Sequence, residues 1–124
     1  MRLKRNRLNV FFLKNRESRK TAEGGVCEAY GEGKALSGEV WPAGGKLQAE
    51  LYGEHVGYIR NVRINGKYSV QTEEKGNAVY TLADGTALRE GDGLCIYVGK
   101  DQEPDYRIIS IRPDRFLRLE AEKR

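Results

Sequence analysis

The chain has 124 residues and a formal net charge of +4, and 15 of its residues are glycine. This length predicts a single domain over residues 1–124, because typical domains contain roughly 100 to 200 residues. No apolar run approaches the roughly 20 residues that a membrane-spanning helix needs, and the run 10–13 is too short for a signal-peptide core. We therefore expect a soluble cytoplasmic product that makes no contact with a membrane, and a turn-rich β domain rather than a helical bundle.

Positive charge is concentrated in the first twenty residues. Eight basic side chains stand there against a single acidic one, Glu17, which gives that segment a net charge of +7 and leaves −3 for residues 21–124. Such a segment predicts contacts with a partner protein or with a DNA backbone, although simple solvation is the commonest fate of charge runs. The candidate contact residues are Arg2, Lys4, Arg5, Arg7, Lys14, Arg16, Arg19 and Lys20.

Strand and turn patterns alternate in the first third of the chain. Residues 1–9 predict a basic arm that is either extended or one helical turn. The apolar run 10–13 predicts a strand, and the polar stretch 14–25 predicts a loop or a long hairpin tip. Residues 26–30 predict a second strand, and residues 35–41 predict a third, which ends at a Pro-Ala-Gly-Gly turn.

The middle third contains the only stretch that is typical of a helix. In residues 46–52, Leu47 and Leu51 lie four positions apart on one face, and Gly53 stands where a C-terminal cap is expected. Residues 55–64 alternate and predict a longer strand. Beyond the tight-turn dipeptide Asn-Gly, residues 65–90 predict an inserted hairpin or loop, whose arms lie at 68–70 and 78–82.

The last third is the most regular part of the chain. Residues 94–98, 106–112 and 116–121 alternate with a period of two and are separated by turn formers, which predicts an antiparallel meander with one buried face. In total the sequence predicts an all-β fold, a small antiparallel β-barrel or sandwich of six or seven strands with one short helix.

Residues with catalytic or metal-binding chemistry are sparse, and the sequence predicts neither a catalytic residue, a metal site nor a cofactor. His55 is the only histidine, and no nucleophile signature surrounds it. Cys27 and Cys95 are far apart in sequence and are expected to be reduced, structural thiols, with a disulfide between them as the less favoured alternative. An acidic group in the turns is expected to bond nearby backbone rather than a metal; its members are Asp92, Asp101, Glu103 and Asp105. We therefore do not expect an enzyme.

Exposed tyrosines leave a second functional interpretation open. Aromatic side chains on strands can stack nucleobases, as in an oligonucleotide-binding barrel, although tyrosine is also a favoured strand residue. The alternative function is therefore a small β-barrel that binds nucleic acid with the basic N-terminal arm. The tyrosines concerned are Tyr58, Tyr68, Tyr80, Tyr97 and Tyr106.

Three blocks, in this order, carry a resemblance to a known family. They are MRLKRNRLNVFFL at the start, SGEVWPAGGKLQAELYGEHVGY in the middle and DGLCIYV followed by DYRIISIRPDRFLRLEAEK at the end. Together they cover about two thirds of the chain. Their order and spacing resemble the head–tail adaptor proteins of tailed bacteriophages and prophages, also called head-closure or head-completion proteins.

The resemblance implies a non-enzymatic structural subunit. Copies of such a β-barrel form a ring that joins the portal and its adaptor to the tail and encloses the DNA channel. The implied partners are other copies of the chain, portal or adaptor proteins, tail proteins and, non-specifically, packaged DNA. The implied location is the bacterial host cytoplasm during assembly and then the head–tail junction of the virion. Head-to-tail contacts that close generate rings, and the expected subunit-interface residues are Trp41, Leu47, Leu51 and Tyr52.

Overall fold

A computed structural model describes residues 9–20, 22–73 and 76–124, and it describes the side chains at these positions except those of 18–20 and 26–28. The described chain contains short strands, one α-helix (α1, Gly45–Tyr52) and a 3-10 helix (Gly53–Tyr58). The strands are β1 Asn9–Lys14, β2 Arg16–Lys20, β3 Val26–Tyr30, β4 Lys34–Pro42, β5 Ile59–Ile64, β6 Tyr68–Thr72, β7 Ala78–Leu82, β8 Ala87–Leu88, β9 Gly93–Cys95, β10 Tyr106–Pro113 and β11 Leu117–Lys123.

Six strands form a closed antiparallel barrel in the order β1-β4-β5-β11-β10-β9. The predicted small β-barrel with one short helix is therefore confirmed. A β2-β3 ribbon and a β6-β7-β8 sheet are separate from the barrel, and β6 and β7 are the two arms predicted within residues 65–90. No helix among the described residues is long and apolar enough to cross a membrane.

The barrel interior follows the alternation of the sequence. On β1, Phe11 and Leu13 are buried, whereas Val10 is 66% exposed. On β11, the face predicted to be buried is buried, with Leu117, Leu119 and Ala121 all at most 1% exposed. Because the side chains of a strand alternate between its two faces, the residues between them point out of the barrel and remain available for other contacts.

The strand predicted over residues 94–98 is shorter in the structure. β9 ends at Cys95, because the Asp105 carboxylate accepts hydrogen bonds from the backbone N–H groups of Ile96 and Tyr97, at 2.8 and 3.0 Å. A side chain thus takes the place of a neighbouring strand. Cys95 itself is a buried, free thiol, as expected, and burial raises its pKa.

The strand predicted over residues 55–64 is wrong in its first half. Residues 53–58 form a 3-10 helix, and β5 begins only at Ile59. Ile59 pairs with Glu122, one residue before β11 ends, and Arg60 pairs with Pro42, the last residue of β4. Residues 55–58 therefore have no neighbouring strand on either side, and local hydrogen bonds satisfy their backbone instead.

The predicted loop over residues 14–25 contains a strand as well. β2 pairs with β3 from Arg16↔Tyr30 to Lys20↔Val26, so only its last residues form the tip of a hairpin. The segment RESRK is polar throughout and has no alternation, and it pairs away from the core in a two-stranded ribbon.

A buried carboxylate fixes the corner between β1 and β2. Asp92 is 2% exposed, and its oxygens accept hydrogen bonds from the Asn15 side chain and from the backbone N–H groups of Arg16 and Arg89, each at 2.9 Å. Asp92 and Asp105 thus confirm the expectation that turn carboxylates bond nearby backbone, whereas Asp101 and Glu103 are exposed.

Candidate interaction surface

Helix α1 is attached to the outside of the barrel through polar side chains. Gln48 exchanges two hydrogen bonds with Asn61 of β5, at 2.6 and 3.1 Å, and donates to Glu120 of β11 at 3.2 Å. Tyr52, one turn later, donates to Glu120 Oε2 at 2.7 Å. Asn61 and Glu120 are 5% and 4% exposed, so this network is mostly closed to solvent beneath the helix.

The leucines of α1 point the other way. Leu47 is 81% exposed and Leu51 is 62% exposed, and none of the residues of the helix is buried. A surface helix ordinarily turns its apolar stripe towards the core. Here the polar stripe faces the barrel and the apolar stripe faces solvent, so α1 presents leucines for which the described chain offers no cover.

The four predicted interface residues do not form one patch. Leu47 and Leu51 share the exposed face of α1, with Tyr58 of the 3-10 helix also 55% exposed. Tyr52 instead faces Glu120, and Trp41 is half-buried on β4 beneath Arg63, whose guanidinium carbon lies 5.4 Å from the ring centroid. We call Leu47 and Leu51 the helix patch.

The environment of Tyr52 keeps its phenol protonated. Burial, together with the hydrogen bond to the Glu120 carboxylate and the negative charge of that carboxylate, raises the pKa of Tyr52 to about 12. The neutral phenol therefore donates to Glu120 at physiological pH and well above it.

A second group of exposed apolar side chains lies on the opposite wall of the barrel. Val10 on β1 and Tyr97, just beyond β9, are each 66% exposed. β1 pairs with β9 as far as Phe12↔Cys95, so both residues lie on the side of the barrel that β1 and β9 form. In the closed strand order, β1 and β9 are diametrically opposite β11 and β5, which carry α1. We call Val10 and Tyr97 the wall patch.

The predicted basic contacts are only partly described. Arg2, Lys4, Arg5 and Arg7 lie outside the described residues, and Arg19 and Lys20 lie on β2 with side chains outside the description. The Lys14 ammonium donates to the Gln102 carbonyl at 2.6 Å, and Arg16 is exposed at the start of β2. Lys14 and Arg16 thus stand on different elements.

Sequence reasoning missed a row of three arginines on the outer wall. The pairings Arg112↔Arg118 and Arg118↔Arg63 place them side by side on β10, β11 and β5. A cavity of about 480 Å³ lies between Arg112, Arg118 and the first turn of α1, which contributes Lys46. The only signal in the sequence is that Arg112 and Arg118 are equally spaced about Arg115, in the turn between β10 and β11, and their strand pairing was needed to use it.

The alternative base-stacking platform is incomplete. Tyr80 and Tyr106 are 7% and 3% exposed and belong to the core, so the expectation that all five tyrosines are available to nucleobases is wrong for these two. His55 is an exposed residue of the 3-10 helix, 6.4 Å from the ring of Tyr58. Within the described ranges, no three His, Cys, Asp or Glu side chains gather as a metal ion would require.

Comparisons with models of protein families, with characterised proteins and with solved structures find no match to this chain.

Proposed function

We propose that the chain is a non-enzymatic structural subunit of a head–tail connector ring in a tailed bacteriophage or prophage. Copies of the barrel join the portal or its adaptor to the tail and surround the DNA channel. The proposal starts from the three sequence blocks that resemble this family, and the six-stranded barrel is the fold that the resemblance implies. Assembly takes place in the host cytoplasm, and the mature location is the head–tail junction of the virion.

The observation that carries the proposal is the outward-facing apolar stripe of α1. A solvent-exposed pair of leucines on a helix that is held by buried hydrogen bonds favours an interface, because large exposed apolar patches on soluble proteins mark contact sites. The polar network under the helix fixes the orientation of Leu47 and Leu51 before any partner arrives. A partner then meets a preformed surface and loses little conformational entropy there.

The positions of the two apolar patches favour a ring over a two-fold dimer. The helix patch and the wall patch lie on opposite sides of one barrel, so a copy can offer its helix patch to the wall patch of the next copy. Contacts between two different surfaces are head-to-tail, and they generate closed rings when the rotation closes. The expected interface thus contains Leu47 and Leu51 on one subunit and Val10 and Tyr97 on its neighbour.

Co-expression tests the proposed function. The chain is expressed with the portal and tail proteins encoded by the same genome, and the purified material is analysed by native mass spectrometry at several salt concentrations. We expect a complex that contains many copies of the chain together with the portal protein. A chain that neither multimerises nor co-purifies with either protein at any salt concentration overturns the proposal.

A further inference from the structure

The arginine row on the outer wall carries an electrostatic cost that the described chain offsets only in part. Arg112, Arg118 and Arg63 occupy paired positions on three adjacent strands, which lie about 4.8 Å apart. Like charges directly opposite one another on neighbouring strands destabilise a sheet. Three in a row therefore need either acidic neighbours or an external anion.

Two acidic residues of the described chain, Glu120 and Glu39, lie beside the row. Glu120 is paired with Arg112 at 2.9 Å, and Glu39 of β4 occupies the position opposite Arg63. Arg63 also lies over the Trp41 ring. Arg118, in the middle, has a half-buried side chain for which the described part of the chain supplies no hydrogen bond or ion pair. The ion pair with Glu120 holds Arg112 and the contact with Trp41 holds Arg63, which leaves the central arginine available.

Lys46 and the first turn of α1 complete a basic cavity next to the row. The cavity of about 480 Å³ is lined on one side by Arg112, Arg118 and the Arg112-paired carboxylate of Glu120, and on the other by Gly44, Gly45 and Lys46. The first turn of the helix has no acidic residue, and Gly44 provides no side-chain cap. Three arginines and one lysine outnumber Glu39 and Glu120, so the net charge of the surface is positive.

We propose that this surface, formed by Arg63, Arg112, Arg118 and Lys46, binds the phosphate backbone of duplex DNA, with one phosphate held in the cavity. Arginine is suited to this role, because its planar fork of donors matches the oxygens of a phosphate group. The identity of the polyanion as DNA rests on the proposed function, whereas the preference of the surface for phosphate does not. The contact is to backbone alone, so it has no sequence preference.

Fluorescence anisotropy with a labelled, mixed-sequence DNA duplex tests the proposal on the full chain at several salt concentrations. The main variant is Arg118→Gln, because Arg118 has no side-chain partner in the described structure whose loss would affect folding. The double variant Arg112→Gln/Arg118→Gln removes a second contact, with circular dichroism as the check on its fold. The matched control is Arg107→Gln/Lys123→Gln, which removes two charges from the far end of the same two strands.

We expect Arg118→Gln to weaken DNA binding several-fold and to lower the salt slope by about 1, since each phosphate contact contributes about 0.9 to that slope. The double variant is expected to weaken binding at least tenfold, well beyond its control. Equal losses in control and row variants, unchanged binding in the row variants, or no DNA binding by the unmodified chain at low salt overturns the proposal. Binding of inorganic phosphate to the unmodified chain, with no binding of the duplex, overturns the assignment of DNA.

The result separates this proposal from the proposed function. If the row variants assemble with the portal protein and bind DNA as tightly as the unmodified chain, only the arginine surface is refuted. A chain that binds DNA through the row but never assembles refutes the connector function alone.

Discussion

The Tyr52 hydroxyl donates a 2.7 Å hydrogen bond to Oε2 of Glu120, a carboxylate that is only 4% exposed on the outer wall of the barrel. Gln48, one turn earlier on α1, contacts the same oxygen at 3.2 Å. The helix is therefore attached by hydrogen bonds where most surface helices are attached by burial of apolar side chains. This inversion is what leaves Leu47 and Leu51 facing outwards.

Replacing Tyr52 with Phe tests that attachment. The change removes one donor to a buried carboxylate and keeps the ring, so we expect a loss of about 2 kcal/mol in the free energy of unfolding. Chemical denaturation measures it. The control is Tyr58→Phe, because the Tyr58 ring is 55% exposed and its hydroxyl makes no hydrogen bond in the described structure. Equal stability of the two variants contradicts the role of the Tyr52 hydroxyl.

The raised pKa of Tyr52 predicts a specific alkaline instability. Its pKa is about 12 in the folded chain against 10.0 ordinarily, so folding favours the protonated phenol. That stabilisation is fully present below pH 10 and is lost as the pH rises towards 12. We expect the unmodified chain to lose more stability over this window than Tyr52→Phe does. Denaturation at each pH measures the free energy of unfolding. The same dependence of this free energy on pH in both proteins contradicts the account.

Replacing Asp92 with Ala is expected to be severely destabilising. Asp92 is 2% exposed and accepts three hydrogen bonds, and its removal leaves three donors without their acceptor at the corner that joins β1 to β2. We expect a loss of about 3 kcal/mol or more in the free energy of unfolding. The control is Asp101→Ala in an exposed turn, which is expected to change stability by no more than about 0.5 kcal/mol. If Asp92→Ala lowers the free energy of unfolding no more than Asp101→Ala does, Asp92 does not stabilise the corner between β1 and β2.

Gly38 tests the close approach of β4 to β5. A Cβ atom at Gly38 lies 2.3 Å from the Arg63 carbonyl oxygen, so the backbones must separate to accept an alanine. We expect Gly38→Ala to cost about 1–3 kcal/mol, the usual range for overpacking. At Gly57 the same atom meets nothing within 4 Å, so Gly57→Ala is the matched control. Thermal unfolding of both variants measures the difference, and equal melting temperatures contradict the contact.

Local patterns in the sequence predict most of the barrel. The alternation of Leu117, Leu119 and Ala121 predicts a buried face, and Gly53 ends α1 as predicted, with its N–H bonded to the Ala49 carbonyl. The prediction fails where a strand needs a neighbour. Residues 55–58 alternate like a strand but have no neighbouring strand to pair with. At residues 96 and 97 the Asp105 carboxylate accepts the backbone hydrogen bonds that a neighbouring strand would otherwise accept.

The candidate surfaces depend on contacts between residues far apart in sequence, and this limits what the sequence alone predicts. The spacing of Leu47 and Leu51 defines one face of a helix, but only the pairing of Gln48 and Tyr52 with Glu120, about 70 positions away, determines that this face points outwards. The arginine row likewise requires the register of β10, β11 and β5. Neither register nor long-range hydrogen bonding follows from local periodicity.

The helix patch gives the most direct test of the connector account. The variant Leu47→Ser/Leu51→Ser removes its two leucines, and because both are exposed we expect the stability of the subunit to change by no more than about 0.5 kcal/mol. The control is Val70→Ser, a 50% exposed residue of β6 outside both patches. Native mass spectrometry of each chain, co-expressed with the portal protein of the same genome, measures the number of copies in the complex. The account predicts a multi-copy complex for the unmodified chain and for Val70→Ser, and single folded subunits for Leu47→Ser/Leu51→Ser. The same multi-copy complex for all three contradicts it.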